Sequence, residues 1–152
     1  MLRDQGTETM DSKVLDDLTV ADFNADTVRA YRTRFRAARQ GSSWTDLDDE
    51  RFLRAVGAAM VSREDGKLHP TFGGLLMFGN DYDIVRECPH YFLDYQETLD
   101  PAIRWTDRVH SGDGMWSGNL FDFFFRVNRK LAESLKTPFK LNGIFRVDDT
   151  PM

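Results

Sequence analysis

The sequence has little with which to staple itself or to leave water. Its 152 residues hold one cysteine, Cys88, so no disulfide can form within the chain. A lone thiol is the usage expected of a reducing cytosol, and the expected location is cytoplasmic. The longest apolar runs are only a few residues, which excludes a bilayer-spanning helix, and no membrane partner is expected. The first residues are acidic and carry no apolar leader segment. No internal repeat or low-complexity tract interrupts the chain.

Reactive chemistry is also sparse. There are three histidines, His69, His90 and His110, and none stands four residues from another His or a Glu, so the common zinc spacings are missing. Gly74 and Gly79 have the spacing of a phosphate-binding loop, but Asn80-Asp81 occupy the places that need Lys followed by Ser or Thr. Ser117, in Gly114-Met115-Trp116-Ser117-Gly118, lacks the flanking glycine spacing of a nucleophile elbow. Asp94 and Glu97 fall on opposite faces of an alternating strand, which is no paired-carboxylate device.

Two weaker constellations remain. Cys88 and His90 are separated only by Pro89, but a nucleophilic cysteine needs a base placed in space, and a buried structural thiol is the simpler reading. Asp107, His110 and Asp113 would gather around a cation only if their loop folds back. An enzyme centred on Cys88 or on residues 107–113 is therefore the least supported reading. No catalytic residue, cofactor or metal is expected.

What is present suits one α+β domain. With 41% apolar and 12% aromatic residues the chain can build a core, and a formal charge of −5 argues against a wholly nucleic-acid-coating protein. The expected architecture is about four helices packed on a small, mostly antiparallel sheet. Residues 1–26 read as an N-terminal arm with apolar anchors at Val14, Leu15, Leu18 and Val20, and residues 27–152 as the single domain.

The organising stretch is Gly66 to Gly79. Asp65-Gly66 marks a turn, with Met60–Arg63 and Lys67–Leu68 able to pair across it as a hairpin. Thr71 is placed to cap a short helix whose Leu75, Leu76, Met77 and Phe78 are apolar on every side. Gly79 is expected to end it in the left-handed conformation. Gly73 and Gly74 cost about 1 kcal/mol each in helix propensity relative to Ala, so another backbone is expected to approach there.

Around that stretch, Asn24 or Asp26 caps a helix to about Arg39, with Val28, Tyr31, Phe35 and Ala38 on one face. Arg29, Arg32, Arg36 and Arg39 repeat on the adjoining face. They read either as a phosphate-contacting stripe or as a solvated face paired with the acidic run at 46–50. A second helix, about Asp48 to Ala59, gives the first half a loose winged-helix look. Asn80–Asp83 reads as polar loop, and Tyr91–Glu97 and Ile103–His110 as strands. Asn119 or Ser117 caps the longest helix, whose Leu120, Phe124, Val127 and Leu131 share a face widened by Phe121, Phe123 and Phe125. So aromatic a helix belongs in the core or under a partner domain. Pro138 is expected to end it, with a last strand over Phe139–Val147.

The run Thr71-Phe72-Gly73-Gly74-Leu75-Leu76-Met77-Phe78-Gly79 resembles the T-x-A-G-L-L-M-F-G signature of bacterial RecG-related, helicase-related transcriptional regulators. Tyr91-Phe92-Leu93-Asp94-Tyr95, Trp105-Thr106-Asp107-Arg108 and Pro138-Phe139-Lys140-Leu141 look like the same family in the same order. In that family an Alba-type (Schlafen-like, divergent AAA) DNA-binding domain precedes this region and an ATPase-like segment follows it. The resemblance implies a fragment: a non-catalytic connecting domain whose partners are neighbouring domains of the same protein, with DNA as a further partner. ATP binding would belong to segments outside this chain. The alternative is a direct nucleic-acid-binding module using Arg29, Arg32, Arg36 and Arg39. Gly73 stands where the family has Ala, which loosens the helix without touching chemistry.

Overall fold

The computed structural model describes residues 9–97 and 107–145. The chain runs α1 (Ala25–Ala38), α2 (Asp49–Ala55), β1 (Ala59–Val61), β2 (Leu68–Pro70), α3 (Phe72–Phe78), α4 (Asp81–Glu87), β3 (Asp94–Glu97), β4 (Asp107–His110) and α5 (Leu120–Phe145). This is an α+β fold, as expected, and the described residues form five α-helices and two separate two-stranded antiparallel sheets in place of one sheet and four helices.

α3 sits between two apolar clusters. Phe78 packs with Phe23, Val28, Leu53, Ala58 and Ala59, while Leu75 packs with Leu15, Leu18 and Ile84. Thr71 caps the helix: its Oγ1 accepts from Gly74 N at 3.0 Å and donates to Gly57 O at 3.0 Å. The close backbone approach expected at the glycine pair is found. A Cβ on Gly74 would overlap the Ala58 carbonyl oxygen and lie 2.8 Å from the Ala58 Cα. Gly79 ends the helix differently from expectation, with φ −80° rather than a left-handed value. Glycine is needed there because a Cβ would come within 2.5 Å of the Leu75 carbonyl oxygen.

β1 and β2 pair with Met60 opposite His69 and Val61 opposite Leu68, joined by a turn in which Gly66 has φ +71°. Of the segment read as an arm, residues 13–23 pack against the body. Leu15 N donates to Pro70 O at 2.9 Å, Phe72 N donates to Lys13 O at 2.8 Å, and Val14 bridges Thr71. Leu15, Leu18 and Phe23 are buried, so the anchors hold more of the chain than an arm requires.

Three further expectations change. Residues 81–87 form α4, not loop; only Ile84 is fully buried there, so no apolar period announces the helix. α5 continues through Pro138 to Phe145, in place of the expected stop and strand. Leu131, Leu135 and Phe139 are spaced four residues apart, which serves a helix as well as Phe139, Leu141 and Phe145 serve a strand, and one missing N–H removes a single backbone bond. The strand over Tyr91–Glu97 shortens to β3; of the strand expected over Ile103–His110, residues 107–110 form β4, and residues 98–106 and 146–147 lie outside the described residues.

Candidate functional site

Asn24 caps α1 by accepting from Thr27 N at 3.0 Å, and this sets the phase of the arginine face. Arg29, Arg32 and Arg36 line a groove of about 620 Å3, shared with Asp49 and Glu50 of α2. Arg32 is committed within the fold. It donates to Asp49 Oδ1 at 2.6 Å, to Thr45 O at 3.2 Å and to Leu47 O, and its guanidinium lies 4.6 Å from the centroid of the Phe52 ring. Arg29 pairs with Asp26 at 2.6 Å in an exposed i,i+3 contact, and Arg36 reaches Thr45 O at 3.5 Å. Arg39 is the exposed C-cap of α1. Opposite these bases stand two carboxylates, which oppose a phosphate backbone in the same groove.

Cys88 is the half-buried C-cap of α4, and His90 is exposed beyond it. Asp113 Oδ1 accepts from Met115 N at 2.8 Å, an ordinary loop turn. The His110 ring packs against Phe92 with centroids 6.0 Å apart, and its Nδ1 is buried without a hydrogen bond. Asp107 belongs to β4, and its side chain lies outside the described residues.

A polar joint that sequence reasoning missed ties three helix starts together. Asn119, fully buried, accepts from Asp122 N at 2.9 Å and donates to Gly79 O at 2.8 Å and Thr27 Oγ1 at 3.1 Å. Asn24 Nδ2 donates to Asn80 Oδ1 at 2.9 Å. Thr27 Oγ1 donates to Asp122 Oδ2 at 3.0 Å, and Ser117 Oγ donates to the same oxygen. The partial positive charge at these helix starts suits a carboxylate such as Asp122. Asp81, at the start of α4, has Oδ1 buried without a partner, and burial pushes its carboxyl pKa up. Burial also drives the Tyr91 phenol well up, and its hydroxyl donates to Gly118 O at 2.6 Å. Asn24 and Asn119 were readable as caps; that they meet beside Asn80, which precedes α4 without a capping hydrogen bond, was not, because contacts such as Asn24 to Asn80 span 56 residues.

α5 leaves this joint with two different faces. Phe121 is buried, its ring 5.8 Å from that of Tyr31, and Arg34 lies 3.7 Å over Phe125. The other face forms an apolar groove of about 560 Å3 lined by Met77, Leu120, Phe123, Phe124, Val127 and Leu131. Phe124 is 60% exposed, Leu131 41% and Leu135 58%. Leu120, Phe124, Val127 and Leu131 follow the four-three-four spacing of a helix-packing seam.

Elsewhere, His69 on β2 is buried, with Nδ1 2.6 Å from Leu18 O and Nε2 2.7 Å from Asp65 Oδ2. The Leu18 carbonyl, then the Asp65 carboxylate, hold its pKa above the ordinary imidazole range. The Lys67 amide, then His69, hold Asp65 below its ordinary range. The Asp65–His69 spacing of four was visible in the sequence; a search for His or Glu partners passes over it.

Among the described residues, no helix is long and apolar enough to cross a membrane. No curated protein matches the chain, and no solved structure matches it. One family's model matches residues 1–94, more than half of the 152, and the chain belongs to that family, described as a domain of unknown function, DUF8451.

Proposed function

We propose that this chain is a non-catalytic connecting module, in which the exposed seam of α5 docks a neighbouring domain of the same polypeptide. The observation that carries the reading is the aromatic and aliphatic row from Leu120 to Leu135. Phe124, Leu131 and Leu135 stand in water, although α5 is anchored to the body by its opposite face. A contiguous apolar patch of this kind marks an interaction surface. In the regulators that the sequence resembles, an ATPase-like segment follows this region, and α5 is the last element described here. On this reading the protein is cytoplasmic, bacterial and transcription-regulating, with DNA read by a neighbouring domain.

The direct nucleic-acid reading draws less from the geometry, because Arg32 is committed to Asp49 and two backbone carbonyls, and Asp49 and Glu50 share the groove. The catalytic reading draws least, because among the described residues Cys88 has no hydrogen-bonded base and Asp113 is tied to the Met115 amide.

Amide exchange across residues 120–131 tests the docking reading. It is measured in this chain alone and in the reading frame that contains it. Slower exchange along the seam in the longer polypeptide supports docking. Equal exchange in both, or a seam protected by self-association of the isolated chain, overturns it.

A further inference from the structure

The geometry points to a divalent-cation site made by Asp16, Asp65 and His69, which pins the N-terminal segment to the β1–β2 hairpin. Each of the three side chains offers one ligand atom, and these atoms lie within 4.8 Å of one another. They come from two places distant in sequence: Asp16 from the segment before α1, Asp65 and His69 from the hairpin turn and β2.

His69 carries the argument. It is 5% exposed, and its Nδ1 is 2.6 Å from the Leu18 carbonyl, an acceptor only. Nδ1 must therefore hold a proton, which in a neutral ring leaves the lone pair on Nε2. That lone pair faces Asp65 Oδ2 at 2.7 Å, with an Asp16 carboxylate oxygen in the same cluster. Three electron-rich atoms thus converge, and only a proton or a metal cation placed among them turns the arrangement into attraction. A backbone carbonyl on the far nitrogen is the usual orienting partner of a metal-bound imidazole. Asp65 is oriented similarly, since its Oδ1 accepts from Lys67 N at 2.8 Å and leaves Oδ2 for the cluster.

One imidazole nitrogen and two carboxylate oxygens select a first-row divalent cation such as Zn2+ or Mn2+ over Ca2+, which prefers an all-oxygen cage. Bonds of about 2.0–2.2 Å at tetrahedral angles would require the His69–Asp65 pair, now 2.7 Å apart, to open by about 0.7 Å. Asp65 lies on an exposed turn, where such a shift is small. The two exposed carboxylates leave further coordination positions to water, while the protein ligands cross-link residue 16 to residues 65 and 69.

The test is a titration of the apo chain with Zn2+, and separately Mn2+, by calorimetry, with Mg2+ as the hard-cation control. The result expected is one Zn2+ per chain, with slower exchange of the Leu15 amide, which bonds to Pro70 O. Asp16→Asn, an exposed change, is expected to weaken binding at least about tenfold, while Cys88→Ser leaves it unchanged. Asp65→Asn is expected to act like Asp16→Asn. Absence of Zn2+ and Mn2+ binding would mean that a proton alone bridges the cluster, and would overturn the site. So would binding that survives both Asp variants or disappears with Cys88→Ser.

Discussion

α3 and α5 are both rich in apolar residues, yet the fold treats them in opposite ways. α3 is seven residues long and lies between two clusters: Leu75 meets Leu15, Leu18 and Ile84, and Phe78 meets α1, α2 and β1. α5 is 26 residues long; among its described side chains Phe121 and Asp122, with Asn119 just before the helix, tie it to the body, while Phe124, Leu131 and Leu135 face water. The inner helix is specified by approach distance, so a single methyl is decisive there. The outer helix is specified by its joint, so substitutions on its free face leave the fold intact and act on whatever that face meets.

The largest effect that separates the two lies at the α3 glycine pair. Gly74→Ala places a methyl in the Ala58 carbonyl, where backbone must move, and is expected to cost about 3 kcal/mol or more. Gly73→Ala places its methyl 3.1 Å from the Asp11 carbonyl oxygen and 3.2 Å from Asp11 Cβ, in an exposed turn that can give by the few tenths of an ångström needed. The helix-propensity gain of about 1 kcal/mol offsets that contact, so Gly73→Ala is expected near neutral. Urea unfolding of the two variants measures the difference. Equal costs would mean that α3 is not set by its distance to Ala58.

A smaller effect probes the joint from which α5 departs. Asp81 Oδ1 is buried without a partner, and burial raises the carboxyl pKa above its unfolded value. The folded state therefore binds a proton more readily than the unfolded one. Stability from this group is present at low pH and is lost as pH rises through the folded pKa. Asp81→Asn removes that loss and is expected to stabilise the chain at neutral pH by about 0.5 kcal/mol. This is a fraction of the full cost of an unpaired buried acceptor, because part of the group stays near water and the helix start favours a negative charge. The gain should shrink as pH falls and Asp81 itself takes up a proton. A gain that grows toward acid would reverse the assignment.

The sequence was most legible where structure is local. Thr71 as cap, the turn at Gly66, the paired β1–β2 segments and the crowding at Gly74 each depend on neighbours in sequence or on one residue type with one physical use. α4 was illegible because it buries a single large apolar side chain, Ile84, and has no period to detect. The extent of α5 was misread because spacing around Pro138 satisfies strand and helix alike. The two clusters with most chemical character, the asparagine joint and the Asp16–Asp65–His69 group, connect residues far apart in sequence, and no spacing rule brings them together. Arg29, Arg32 and Arg36 share a groove while Arg39 is the C-cap outside it, and Arg32 pairs with Asp49 of the acidic run that the sequence offered as its alternative partner.

The smallest expected effect on stability bears most directly on function. Phe124 contacts Phe125 edge-on, with centroids 5.0 Å apart, and is otherwise largely in water. Phe124→Ser should therefore cost under about 1 kcal/mol, mostly the lost aromatic pair. Leu75→Ala, which empties a site with no exposure, should cost about 3 kcal/mol. An apolar dye separates the helices further: its binding to the native chain should fall with Phe124→Ser, and further with Phe124→Ser combined with Leu131→Ser. The reason is that the groove they line is almost entirely apolar. If Phe124→Ser proved as costly as Leu75→Ala, the seam would belong to the interior of a folded unit. The free face on which docking depends would then not exist.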